Sequence, residues 1–433
     1  MSSDPVVQLL SGQWPDPETG ELLGVPVRSV VIADSLEGIE GDLVARLDLG
    51  RRLAVVSDPV TQDVLGARVE RALAAAGEVM PIRLRDRPHA DDDTVARIRA
   101  ATTDADALIA VGSGTINDLC KYAAFQDGKP AAVFGTAPSM NGYTSANAAI
   151  TVGGLKKSLA AQPPVGVFLD LAVLAAAPPR MIRSGLGDSL CRSTAQADWL
   201  LSHLLRDTPY RAAPFALLAD DEGALLEGAG ALMAGDLEAM RRLARTLVLS
   251  GLGMCLSGGS YPASQGEHLI SHYIEMMGGS GLPESFHGEQ IGVTTLTMAR
   301  LQESVLRTRP VVRPTVIDDA DLVRHFGLET AAACAREWSA KALSPADATA
   351  LNERLSRSWP SLRERIHGVR HAAADLERAL AAAGAPTRPA DLGWPVSFYR
   401  EAVVRARQIR RRYSFLDLAG DAGLLEGFAA QEG

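Results

Sequence analysis

The sequence predicts a two-part protein: a parallel β-sheet covered by helices over residues 1–178, then an all-helical region over residues 179–433. Three observations predict it. Between residues 53 and 135 short apolar, β-branched runs alternate with segments of helical period, which is the pattern of βαβ units whose strands are buried on both faces. After about residue 180 those runs give way to long stretches rich in Ala, Leu and Arg. The chain also has 433 residues, more than the roughly 100–200 that one core usually serves.

In chain order, LAVVSD (53–58) reads as a strand and VLGARVERALAAAG (64–77) as the helix after it. EVMPIRL (78–84) and DTVARIRAATT (93–103) repeat the unit, and ALIAVG (107–112) leads into TINDLCKYAAF (115–125). PAAVFG (130–135) closes the series. The pattern predicts a Rossmann-like sheet. Paired prolines in AAPPRM (176–181) interrupt the periodicity and mark the boundary. Beyond it, 213–254, 318–342 and 345–383 read as long helical periods, with the Ala-rich 372–386 helical rather than a linker.

Composition narrows the function classes. Hydrophobic residues at 47% and charged residues at 22% describe an ordinary globular chain. A formal charge of -9 provides no basic field for nucleic acid or an anionic membrane. Residues 1–16 lack the basic start and apolar block of a signal peptide, and the longest apolar stretch, 159–179, is broken by Pro163, Pro164 and Asp170. The expectation is a cytoplasmic protein without a membrane span. Cys120, Cys191, Cys255 and Cys334 are far apart and form no C-x-x-C pair, so they read as buried thiols.

Two loops carry candidate chemistry. VGSGTINDLCK (111–121) follows a strand and opens a helix, where backbone N–H groups and the helix dipole suit a pyrophosphate. Asn117 stands where a full G-x-G-x-x-G would have its third glycine, so a plain strand-to-helix turn fits as well. GTAPSMNGYTS (135–145) follows the next strand and again gathers small and hydroxyl residues. Asp58, at the end of its strand, suits either an adenosine ribose or a helix cap.

Three of the eight histidines lie within twenty residues, in GEHLISHY (266–273) and FHGEQ (286–290). His268 and His272 share a helix face by their spacing. With His287 and with Asp188 of GLGDSL (185–190) they offer the two imidazoles and one carboxylate of a catalytic divalent-metal site. Hydrogen-bonded core histidines are the alternative. His367 and His371 have the same spacing among arginines and read as a solvated helix face.

Taken together, GSGTIND, GTAPSMNGYTS, GLGDSL, GEHLISHY, FHGEQ and the tail ARQIRRRYSFLDLA (406–419) resemble the bacterial sn-glycerol-1-phosphate dehydrogenases. These belong to the wider class of iron-type alcohol dehydrogenases, glycerol dehydrogenase and dehydroquinate synthase. The resemblance implies a dehydroquinate synthase-like fold with a dinucleotide-binding domain (1–178) and a helical metal- and substrate-binding domain (179–433). It implies metal ligation by Asp188, His268 and His287, with zinc foremost and nickel or ferrous iron also suited. Cofactor contacts fall on Asp58, Gly114, Thr115, Ile116, Asn117, Asp118, Thr136, Ala137, Pro138, Ser139 and Ser145. His272 and Asp188 are the implied catalytic residues, and Asn141, Asp188, His272 and Lys157 the implied substrate contacts.

The implied reaction is reversible reduction of dihydroxyacetone phosphate to sn-glycerol 1-phosphate with NAD(H) or NADP(H). That places the chain in phospholipid metabolism as a homodimer or larger homo-oligomer. Two positions depart from the family: Asn141 replaces an aspartate, and Arg192 replaces a lysine. Lys156 and Lys157 are candidates for the substrate phosphate, whereas Arg410 to Arg412 read as a surface run. The alternatives are a related NAD- and metal-dependent enzyme on another polyol or carbonyl substrate, or a phosphate-eliminating cyclase of the dehydroquinate synthase kind. Glu267, where that synthase typically has glycine, speaks against the cyclase.

Overall fold

The computed structural model describes residues 4–75, 77–153 and 155–433. Two compact units divide the chain: Met1–Ser189 with Arg211–Ser260, and Leu190–Tyr210 with Tyr261–Gly433. Both are discontinuous in sequence.

The first unit is built on strands β1 (Ser29–Ala33), β2 (Arg52–Ser57), β3 (Glu78–Arg83), β4 (Ala107–Gly112), β5 (Ala131–Gly135) and β8 (Gly166–Asp170), with a separate hairpin of β6 (Asn147–Val152) and β7 (Leu155–Ala160). The sheet order is β1-β8-β5-β4-β2-β3, parallel throughout. The inner strands β4, β5 and β8 are buried along their whole length, which is why they read as unbroken apolar runs. Pro81 stands in β3, an edge strand, where a missing N–H costs no ladder bond on the open side. Helices α1 (Ala67–Ala74), α2 (Asp92–Ala101) and α3 (Gly114–Gln126) follow β2, β3 and β4. Val55, Val69, Leu73, Ile109, Phe134 and Phe168 join one core, with the two phenylalanine rings 4.9 Å apart.

Helix α4 (Pro179–Arg206) starts in the first unit and enters the second at Leu190, and α5 (Leu237–Leu256) belongs to the first. The second unit contains α6 (Gly266–Gly278), α7 (His287–Leu306), α8 (Asp319–Phe326), α9 (Leu328–Ser339), α10 (Pro345–His367), α11 (Ala373–Ala382) and α12 (Phe415–Asp421). Its core includes Tyr273, Leu301, Trp338, Trp359, Tyr399 and Phe415.

The expected strands and helices of 53–135 fall within a few residues of their observed bounds. Strands β1 and β6–β8 have no counterpart in the sequence reading: β1 is a half-buried edge strand, β6 and β7 form a separate hairpin, and β8 lies within the proline-interrupted apolar stretch 159–179. The long helical periods are cut into shorter helices. Gly235 (φ 74°) and Gly327 (φ 75°) adopt backbone that ends a helix and that other residues resist. His367 and His371 do not share a helix face, since α10 stops at His367. Among the described residues no helix is long and apolar enough to cross a membrane.

Candidate active site

The chain leaves β2 for β3 on one side and returns to β4 on the other, so the carboxyl ends of β2 and β4 flank the point where the winding direction reverses. Open α/β sheets bind ligands in the crevice at such a point. Asp58 directly follows β2, and its Oδ1 accepts the Thr61 N–H at 2.8 Å, so it caps the short helix Pro59–Thr61. The glycine loop ends β4. A Cβ on Gly112 would lie 2.6 Å from Ile116 Cβ, and one on Gly114 would lie 3.0 Å from Met140 Cγ. The absent side chains therefore let α3 begin tight against the sheet, with Gly114, Thr115, Ile116, Asn117 and Asp118 along its first turns.

The second loop lies beside the first. Thr136 N–H donates to Gly112 O at 3.1 Å, and the Tyr143 hydroxyl donates to Ala137 O at 2.7 Å. Lys121, which sequence reasoning did not single out, ties these pieces together. It is 1% exposed, with Nζ 3.0 Å from Asp118 Oδ1, 3.0 Å from Gly142 O and 3.3 Å from Ser145 Oγ. Asp118 Oδ2 in turn accepts Ala149 N–H at 2.9 Å. The Asp-x-x-Lys spacing within GTINDLCK was the available signal, since residues three apart on a helix are neighbours.

Asp188 is positioned by glycine. A Cβ on Gly185 would stand 1.6 Å from Pro138 O, so only glycine lets α4 rest directly on the second loop's backbone. One turn further along, the Asp188 carboxylate accepts the Asn141 main-chain N–H at 2.7 Å. Gly251 of α5 plays the same part on the other flank, where a Cβ would meet Thr144 Oγ1 at 2.1 Å and the hydroxyl donates to Val248 O at 2.7 Å. The Asn141 side-chain nitrogen is buried and has no hydrogen-bond acceptor among the described residues. A buried amide without an acceptor is costly, and such a donor suits an incoming oxygen.

The second unit brings the three histidines together. His268 and His272 lie on α6 with ring centroids 5.8 Å apart; His287 opens α7, at 5.1 Å from His268 and 6.3 Å from His272. His268 Nε2 and His287 Nε2 are 3.3 Å apart, two nitrogens facing one point, as a shared cation requires. His268 Nδ1 lies 2.9 Å from Glu267 Oε1. Cys191, Glu267 and His268 also present atoms within 4.8 Å of one another, all buried, but the Glu267–His268 bond already occupies that side of the ring.

Polar groups line the foot of α6. Asp198 Oδ2 accepts Gly266 N–H at 2.9 Å, and Oδ1 accepts Phe415 N–H at 3.0 Å. Burial pushes the Asp198 carboxyl up to about 8 and the Glu267 charge adds to the rise, against the lowering by those N–H donors. Arg192 donates to Gln196 Oε1 at 2.7 Å, and burial brings its guanidinium down to about 10. The tail arginines are not a surface run. Arg411 is exposed, but Arg412 lies over the Tyr261 ring at 4.6 Å, donates to Ser264 O and is lowered to about 10 by burial. His371 is half-buried, and burial followed by the Arg192 charge holds its imidazole below the usual range, unlike a solvated face. Lys157 is exposed on β7, and the Lys156 side chain lies outside the described residues.

Residues 31–178 match the family model for iron-containing alcohol dehydrogenase. The glycerol-1-phosphate dehydrogenase (NAD(P)+) of Bacillus licheniformis is 33% identical over 288 residues, covering 65% of this chain and 71% of that protein. The protein of the same name from Halalkalibacterium halodurans is 30% identical over 371 residues, covering 84% of this chain and 85% of its own length. A probable glycerol dehydrogenase of Sinorhizobium meliloti has the same fold, with a TM-score of 0.60 at 20% identity over 93% of this chain and 98% of that one. With relatives this similar over most of their length, the chain belongs to the glycerol-1-phosphate dehydrogenase family.

Proposed function

We propose that this protein reduces dihydroxyacetone phosphate to sn-glycerol 1-phosphate, reversibly, with NADH or NADPH and one divalent metal. The facing Nε2 atoms of His268 and His287, 3.3 Å apart, carry this reading, because two imidazoles turned edge to edge are the donor arrangement of a catalytic metal site. Asp188 completes the ligand set as a carboxylate oriented by the Asn141 N–H. Two nitrogens and one oxygen suit zinc foremost, and nickel or ferrous iron also. Family membership supplies the substrate class, since relatives 30–33% identical bear that name.

The coenzyme belongs at the reversal point of the sheet. Asp58, Gly114 to Asp118, Thr136 to Ser139 and Ser145 line it, with the first turn of α3 offering N–H groups to the pyrophosphate. When bound, the metal polarises the carbonyl and the reduced nicotinamide supplies the hydride. The chain's own groups do the rest. His272 sits one turn beyond His268 on the same face and delivers the proton to the new hydroxyl. The buried Asn141 amide donates to a substrate oxygen, and Lys157 meets the phosphate. In this reading residues 1–178 serve the coenzyme and 179–433 the metal and substrate, in a cytoplasmic homodimer or larger homo-oligomer.

The test is oxidation of NADH and NADPH by the purified protein with dihydroxyacetone phosphate, after chelation and after adding back zinc, nickel or ferrous iron. Metal-restored oxidation is expected. Asp188→Asn and His268→Ala are expected to lose metal and activity together, and His272→Ala to keep metal and lose rate. Full activity in the first two would refute the ligand set.

A further inference from the structure

We propose that Glu267 is a positioning residue for His268: its carboxylate fixes the imidazole with the proton on Nδ1 and turns the Nε2 lone pair toward the metal. The inference rests on the metal reading of the histidine cluster. Neighbouring residues on a helix do not face each other, so contact between positions 267 and 268 needs a special arrangement. The first turn of α6 supplies it. Glu267 folds back over the helix start, where its Oε1 accepts Gln265 N–H at 2.7 Å and lies 2.9 Å from His268 Nδ1. The Thr194 hydroxyl reaches Oε2 at 3.3 Å, and the side chain is wholly buried. Gly266 N–H is taken by Asp198 rather than Glu267, so it does not compete with the ring for Oε1.

An oxygen that accepts from a main-chain N–H acts as an acceptor, so the hydrogen of the His268 contact belongs to Nδ1. Nε2 is then unprotonated and points at His287 Nε2, 3.3 Å away. Keeping a carboxylate here is costly, because burying a charge is unfavourable and the Glu267 side chain is sealed from water. A neutral glutamine could accept from Gln265 N–H equally well. What it could not supply is a negative charge behind the imidazole, which raises the basicity of Nε2 and fixes the ring plane.

Zinc and nickel affinity of the whole chain, measured by chelator competition, tests the inference without reference to turnover. Glu267→Ala is expected to weaken binding by roughly 10–100-fold, and Glu267→Gln by a smaller factor in the same direction. Asp198→Asn neutralises the buried acid that accepts Gly266 N–H, without touching His268, and is expected to leave affinity within about 2-fold. Nitrogen-15 spectra of histidine-labelled wild-type protein provide a second readout that needs no variant, with His268 expected as the Nδ1–H form. Wild-type affinity in both Glu267 variants, equal losses in Asp198→Asn, or an Nε2–H tautomer for His268 would each overturn it. A wild-type protein that takes up no metal would instead overturn the site reading itself.

Discussion

Replacing Gly185 with alanine is the sharpest perturbation this fold offers. The added Cβ would stand 1.6 Å from Pro138 O, about half an ordinary van der Waals separation, and the obstacle is backbone rather than a side chain that can swing away. Helix α4 and the second loop must separate. Overpacking of this kind costs about 1–3 kcal/mol. The Asn141 N–H to Asp188 bond, 2.7 Å long and one helical turn away, is lost with the shift, and a hydrogen bond to a charged group is worth about 1.5–3 kcal/mol. Alanine returns about 1 kcal/mol of helix propensity. The net cost is about 2–5 kcal/mol, a drop in melting temperature of about 4–20 °C at about 2–4 °C per kcal/mol for a unit of this size. Gly223, in helix Ala219–Gly228, is the matched control, since a Cβ there meets nothing within 4 Å. Gly223→Ala is expected to be stabilising by up to about 1 kcal/mol. Thermal melts of the two variants beside wild type decide the matter. If Gly185→Ala melts with Gly223→Ala, the close approach of α4 to the loop does not position Asp188 and the reasoning fails.

Two further outcomes follow from buried polar groups. Asn141→Ala removes a buried donor without an acceptor among the described residues, so thermal stability is expected to hold or rise by about 1 kcal/mol while KM for dihydroxyacetone phosphate rises at least about 10-fold. Lost stability with an unchanged KM would show the amide to be structural. Asp198 titrates in the folded protein near 8, above its value of 3.8 in the open chain. The folded state therefore holds a proton that the unfolded chain has released between those values, so stability falls as pH rises through that window and levels above it. Urea titrations across pH 5–9 are expected to show a shallower decline for Asp198→Asn than for wild type, and parallel curves would refute the assignment.

Much of this was legible in the sequence. Strands β2, β4 and β5 were readable because strands buried on both faces must be apolar throughout, and the glycine loop because a strand-to-helix turn at a close approach excludes side chains. The spacing of His268 and His272 put them on one face from the helix period alone, and the three histidines do meet in the second unit. Membership of the glycerol-1-phosphate dehydrogenase family was likewise written in short motifs, which the relatives bear out over most of their length. Only tertiary structure decided the rest. Lys121 holds Gly142 and Ser145, more than twenty residues away, and no local pattern announces a contact of that range. Asn141 touches Asp188 through its main-chain N–H, a group every residue but proline has, so its side chain could not reveal the bond. Glu267 reads as an ordinary acid in a first helical turn until packing seals it from water against His268. Periodicity records which face of an element is buried. It does not record which polar groups from distant segments that burial forces to satisfy one another, and the candidate site consists of those groups.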